Sequence, residues 1–214
     1  MQSKATATGR LMPSLPDIQW QNHIVYIFFI LVLGFFAVMI GDKGFLSVTN
    51  LFNIARTTAM VTVIAVAMTF VISAGELDLS VGSTAALSAL TCALVMQAGF
   101  GWPLAVLAAL GSGLAVGCLN GFFVTWIGIP SFLVTLGMMQ FIRGVDMRVT
   151  YTNPVSIMNQ TFNGLFGSGK ILGLPSLLIW SVLIAVLGHV VLKYTGFGRA
   201  ILATGGNRLA AEYS

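Results

Sequence analysis

The chain has 214 residues, 57% of them hydrophobic and only 7% charged, with a formal net charge of +4. A soluble globular domain carries about 25% charged residues, so the composition excludes that class and places the chain in a membrane. Its Lys and Arg residues sit at the ends of apolar runs and in loops, without interleaved aromatics, which excludes a nucleic-acid surface.

Residues 1–22 read as a polar N-terminal tail with Lys4, Arg10, Pro13, Pro16 and Asp17. They lack the short apolar core and small-residue site of a cleaved signal. A first span is predicted from His23 to Ile40, long enough to cross roughly 30 Å of hydrocarbon. Residues 41–56 read as a loop that re-enters as a helix, with Ser47, Thr49 or Asn50 as its N-cap. Further spans are predicted at 57–73, 81–98 and 103–127, the last opened by Pro103 at its first position. A fifth apolar segment, 131–142, is short before Arg143. It is either a half-helix or a longer one running through Arg143 towards Val149. Residues 150–173 read as a polar, Gly-rich loop, and a sixth segment covers 174–192. Lys4 and Arg10 precede the spans, and Lys193, Arg199 and Arg208 follow them. If this basic bias puts both ends on the cytoplasmic side, an even number of crossings separates them, which six segments satisfy, although Lys43, Arg56, Arg148 and Lys170 in the middle loops make the bias moderate. The predicted fold class is all-α: a polytopic transmembrane helix bundle of about six segments, some of them open to being discontinuous.

Small residues mark where helices approach. Ala105, Ala109, Gly113, Gly117 and Gly121 recur every four residues along one helix face, and Ala85, Ala89 and Ala93 repeat the device. Such stripes let neighbouring backbones come close, so Gly113, Gly117 and Gly121 are assigned to helix packing.

The segment VISAGELDLSVGSTAALSAL, 71–90, places Glu76 and Asp78 between two apolar runs that hold no other charge. A carboxylate at membrane depth costs about 2.5–3.5 kcal/mol on the lenient insertion scale. Two readings remain open together. In one, Gly75 breaks the chain and Asp78 or Ser80 caps the helix that follows. In the other, the segment is irregular backbone lining a polar pathway, tolerated at depth only where it is buried in protein or faces a wet cavity.

Other patterns carry less. Cys92 and Cys118 lie inside apolar runs, without metal-ligand spacing, and His23 and His189 stand near span ends. No metal site is expected. GLFGSGKI, 164–171, spells part of a phosphate loop, but Ile171 stands where a hydroxyl must ligate magnesium. NQT, 159–161, is a glycosylation triplet by spelling alone. No nucleophile–base–carboxylate set occurs in one segment, so the chain is not read as an enzyme. The tail TGFGRAILATGGNRLAAEYS, 195–214, is a glycine-punctuated amphipathic segment directly after a span. Gly205 and Gly206 suggest a turn, with Asn207 capping a helix from Arg208.

Three stretches taken together resemble the permease subunit of ribose-, xylose- and galactose-type ABC importers. They are GELDLSVGS (75–83), NGFFVTWIGIPSFLVTLGMMQFIRG (120–144) and GFGRAILATGGNRLAAEYS (196–214). The resemblance implies a cytoplasmic tail (1–22), a permease domain (23–192) and a cytoplasmic coupling segment (193–214) that is cut short. It implies a monosaccharide such as ribose or xylose as cargo, a cytosolic ATP-binding subunit and a periplasmic or extracellular sugar-binding protein. A second permease copy, membrane lipid and a bacterial inner-membrane location complete the expectation. ATP would be bound by the partner, so no cofactor is expected in this chain. It marks Glu76, Asp78, Ser80, Asn120, Pro130, Thr135 and Arg143 as pathway or motif residues. It marks Gly198, Arg199, Gly205, Gly206, Asn207, Ala210 and Ala211 as coupling residues. Three features depart from the pattern: Glu76 itself, the polar pair Asp146 and Arg148, and an end at Ser214 inside the coupling segment. That end reads as a truncated reading frame or an incomplete chain. The competing expectations are a proton-coupled secondary transporter using Glu76 and Asp78, and an inactive fragment.

Overall fold

A computed structural model describes residues 20–207 and 211. The N-terminal tail with Lys4, Arg10 and Asp17, and the positions of Arg208, Ala210 and Glu212, lie outside the described residues. Two compact units divide between Leu51 and Phe52.

The first unit holds α1 (Trp20–Ile40), a single 3-10 turn and the opening turn of α2. Gly44, at φ +83°, closes that 3-10 turn, its N–H donating to the Gly41 carbonyl at 3.2 Å. Phe36 packs on Phe45 with ring centres 5.9 Å apart. Ser47 is the N-cap of α2: its Oγ accepts from the Asn50 N–H at 3.3 Å, and the Asn50 side chain donates to the Phe45 carbonyl at 2.7 Å.

Helix α2 (Val48–Ser73) is one helix of 26 residues. The predicted separate re-entrant helix before residue 57 is therefore corrected. No Gly or Pro interrupts 48–57, so the helix started by Ser47 simply continues into the span.

Beyond α2, the second unit runs α3 (Val81–Gln97), α4 (Trp102–Thr125) and α5 (Ser131–Thr150). The short α6 (Gln160–Phe166), a hairpin of β1 (Lys170–Ile171) and β2 (Leu174–Pro175), α7 (Ser176–Tyr194) and α8 (Gly196–Gly206) follow. Four of the described helices are long and apolar enough to cross a membrane: α1, α2, α4 and α7. α3, with 17 residues, is apolar but shorter. α5 is a continuous helix of 20 residues, about 30 Å at 1.5 Å per residue. The half-helix alternative for 131–142 is thereby settled in favour of the longer one. Arg143, Asp146 and Arg148 sit within it; straight-chain Arg keeps helix propensity high.

One end of the second unit gathers the early part of α2, around Phe52 and Arg56, and the starts of α4 and α7. Arg56 donates to the Ser168 carbonyl at 3.1 Å, Trp102 packs on Phe166 at 6.1 Å, and Lys170 lies 5.4 Å over the Phe52 ring. Here Asn159 caps α6, its Oδ1 accepting from the Phe162 N–H at 2.9 Å. Both the glycosylation triplet and the phosphate-loop spelling thus serve this structured connection. The core lies where α3, α4 and α5 meet, with Cys92, Ala93, Ala105, Val116 and Ile142 buried. Leu107, Leu110 and Leu114 of α4 stay exposed, as lipid-facing positions of a membrane helix do.

Candidate functional site

At its far end α2 closes in a Schellman motif. Gly75, at φ +81°, donates to the Ile72 carbonyl at 2.9 Å, and the Glu76 N–H reaches back to the Val71 carbonyl at 3.1 Å. Residues 76–80 then run without helix past the beginning of α5. The Leu77 N–H donates to Ser131 Oγ at 3.2 Å, and the Thr135 hydroxyl lies 3.4 Å from the Leu77 carbonyl and 2.8 Å from that of Ser131. Thr135 is one turn into α5, about 6 Å from its start. The first turn of α3 shares a cleft with Met139, two turns into α5. So α3 begins inside the bundle, and the irregular segment before it occupies the depth that a helix would otherwise fill.

That placement explains how Asp78 is tolerated. Its Oδ1 accepts from the Ser80 N–H at 2.7 Å and from the Ser80 hydroxyl at 2.6 Å. Ser80, fully buried, in turn accepts from Asn120 Nδ2 at 3.0 Å. Hydrogen bonds to a charged group are worth about 1.5–3 kcal/mol each, and the nearby start of α3 adds the positive end of a helix dipole. The expected capping is corrected in detail. Ser80 is the N-cap residue, but no side chain bonds an α3 amide, because the Ser80 hydroxyl is already directed at Asp78. Asp78 instead fixes the residue from which α3 starts.

Above this network lies a cavity of about 420 Å³, lined by Glu76, Leu77 and Asp78, by Asn120 and Thr125 of α4, by Ser131 and Thr135 of α5, and by Thr204 of α8. Gly117 and Gly121 also line it, and no described atom lies within 4 Å of a Cβ built on either. Their assignment to helix packing is corrected. The stripe packs at Ala105, which is buried, and at Gly113, whose Cβ would stand 3.2 Å from Ser88 Oγ. One and two turns further on, the same small residues leave space. Among the described residues the Glu76 carboxylate has no partner, and Asn120 Oδ1 is buried without one.

The structure thus brings Glu76, Asp78, Ser80, Asn120 and Thr135 together. Pro130 is the N-cap residue of α5 and lines no part of the cavity. Arg143 lies in a different cleft, with Asp146. Asp146 and Arg148 do not form one patch, since residues two apart point to different sides of a helix; Arg148 stacks 5.2 Å over Tyr151. Sequence reasoning missed Thr125, Ser131 and Thr204. Ser131 carried a readable signal: with Thr135 it puts two hydroxyls, four apart, at the start of an apolar helix. Among the described residues no group of three His, Cys, Asp or Glu could hold a metal.

Helix α8 meets this site from the other direction. Thr195 caps it, Oγ1 accepting from the Gly198 N–H at 3.2 Å. A Cβ at Gly198 would collide with the Leu192 carbonyl at the end of α7. A Cβ at Gly205 would collide with the Ser73 carbonyl, so α8 lies backbone to backbone on the end of α2. Phe197 stacks on Phe70 at 6.4 Å. The expected turn at Gly205 and Gly206 is corrected: both are helical, and the break comes at Asn207 (φ −159°, ψ 104°). The Asn207 carbonyl accepts from the Ala211 N–H at 2.9 Å, as the first bond of a following turn would. Arg199 and Gly206 face outward, and Ala210 lies outside the described residues.

Residues 50–214 match the family model described as branched-chain amino acid transport system, permease component. A ribose import permease of Escherichia coli (strain K12) is 36% identical over 176 residues, 81% of this chain and 55% of that protein. A ribose import permease of Bacillus subtilis (strain 168) is 37% identical over 187 residues, 87% of this chain and 57% of its own length. A galactofuranose transporter permease of Escherichia coli (strain K12) is 37% identical over 160 residues, covering 75% of this chain and 47% of that protein. The chain spans about half the length of these curated relatives. No solved structure matches it.

Proposed function

The chain belongs to this family of transport-system permease components, and from that premise we propose that it serves a binding-protein-dependent, ATP-driven importer of a monosaccharide. The relatives named for ribose and galactofuranose support that cargo class. The partners are a cytosolic ATP-binding subunit, a sugar-binding protein outside the membrane and a second permease copy. The protein is multi-pass, in the inner membrane, with its N-terminal tail and α8 on the cytoplasmic side.

One observation carries the reading: Gly205 of α8 rests on Ser73, and the adjacent Thr204 lines the same cavity as Glu76 and Asp78. A movement imposed on α8 by an ATPase therefore bears directly on the turn at Gly75 and the segment 76–80. Because two backbones meet without intervening side chains, little of that motion is absorbed by rotamer changes. Alternating access then follows from opening and closing the cavity around this segment.

Leu202, half-exposed on α8, gives a test. Leu202→Glu keeps α8 soluble but places a charge on the face offered to the ATPase. Capture of the ATP-binding subunit and ATP-dependent uptake should both be lost, with permease abundance unchanged. The unpartnered Glu76 favours one other reading, proton-coupled transport. Uptake that survives Leu202→Glu, needs no ATP and collapses with a protonophore would establish it instead.

A further inference from the structure

A second cleft, of about 280 Å³, opens between α3 and α5. Leu79, Gly82, Ser83 and Ala86 line one side, Arg143 and Asp146 the other. Residues three apart share a helix face, so the Arg and the Asp point into one space. They do not neutralise each other: Arg143 Nη1 reaches Gln140 Oε1 at 3.4 Å, while Asp146 Oδ1 is buried with no partner. Ser83, only 7% exposed, has a hydroxyl without a partner among the described residues. On the α3 side, Gly82 and Ala86 add almost no side-chain volume, and no described atom lies within 4 Å of a Cβ built at Gly82.

Three polar groups of different character thus share a space that is large compared with their needs. Leaving a buried acceptor unpaired costs about 1–3 kcal/mol, and a charge at membrane depth costs more. A ligand of net charge would suit one of Arg143 and Asp146 and oppose the other. A neutral ligand bearing several hydroxyls suits both, since each hydroxyl donates and accepts. The space holds the equivalent of about nine waters, which matches a five- or six-carbon polyol or sugar.

We propose that the α3/α5 cleft is a binding subsite for a neutral polyhydroxylated ligand, with Asp146 accepting from it, Arg143 donating to it and Ser83 doing either. This rests on the sugar-import reading and extends it to a place and to residues outside the Asp78 cavity. Leu79, within the 76–80 segment, lines the cleft, so a ligand there lies against the movable segment.

The test places Ser83→Cys in a chain with Cys92→Ala and Cys118→Ala, held in lipid nanodiscs, and follows its modification by a cationic, membrane-impermeant methanethiosulfonate. D-ribose is the probe. Modification should proceed in its absence and slow about fivefold at a concentration about four times its Kd. Asp146→Ala, which removes the acceptor, and Arg143→Ala, which removes the donor, should each abolish the protection while leaving unprotected modification in place. Should Ser83→Cys fail to give a monodisperse protein, Ala86→Cys reports on the same cleft. A thiol inert to the reagent, as in a cleft filled by another helix, overturns the proposal. So does modification unaffected by D-ribose, or protection that persists in Asp146→Ala. Capture of the ATPase through α8 uses no sugar, so the importer reading and this subsite fail separately.

Discussion

The two halves of α4 carry one repeating pattern and do opposite things with it. At the Trp102 end, Ala105 is fully buried and Gly113 meets Ser88 of α3, so small residues bring two helices into contact. At the Thr125 end, Gly117 and Gly121 face open space, and Asn120 between them is tied to Ser80. The difference lies in the partner. Where α3 is helical, it fills the groove. Where the chain opposite α4 is the irregular 76–80 segment, the groove stays open and polar. A small-residue stripe therefore marks close approach only as far as its partner helix extends.

Substitutions along α4 and its partner can break or sharpen this contrast. The largest effect is expected at Ala105→Phe. A ring forced into a position with no free surface overpacks the α3 contact by about 1–3 kcal/mol or more, and a sharp fall in thermal stability in detergent should show it. Asp78→Ala comes next, because Ser80, which in turn receives Asn120, loses the acceptor that orients its hydroxyl. A loss of about 1.5–3 kcal/mol is expected, whereas Asp78→Asn, which retains an acceptor oxygen, should recover about half of it. Equal melting temperatures for the two variants would mean that the network adds nothing to stability.

Gly117→Leu reverses the pattern. Stability should move by less than about 0.5 kcal/mol, since nothing is displaced, yet uptake should be lost because the side chain enters the cavity. A large drop in stability instead would show that this face of α4 is packed. The smallest effect is expected at Ser112→Ala. It removes a hydroxyl 3.3 Å from Ser88 Oγ that already donates to the Ala109 carbonyl at 2.8 Å. The cost should be no more than about 0.5 kcal/mol, the low end for a single hydrogen bond, with uptake intact.

Much of this was legible in the residues. The spans at 81–98 and 103–127 were bounded within two residues of α3 and α4, because Pro103 and the turn residues at 74–80 and 98–101 leave little choice. The joined α2 was not legible, since Asn50, Asn53 and Arg56 lower hydropathy without breaking a helix. α5 was obscured in the same way by Arg143, Asp146 and Arg148. Thr204 could not be read as a cavity residue, because its place depends on α8 folding back onto the end of α2.

By itself, then, the sequence determined the membrane class, the helical periodicity, the break around Gly75 and the local identity of the polar motifs. These are short-range consequences of composition, propensity and turn chemistry. Tertiary structure alone decided which small residues pack and which leave space, that Asn120 of α4 ties down the local Asp78–Ser80 pair, and that α8 shares a cavity with both carboxylates. Each of those outcomes depends on which surface stands opposite, 24 residues away in the chain for Ser88 and Ser112 and 40 for Ser80 and Asn120, and the pattern within one helix holds no record of its neighbour.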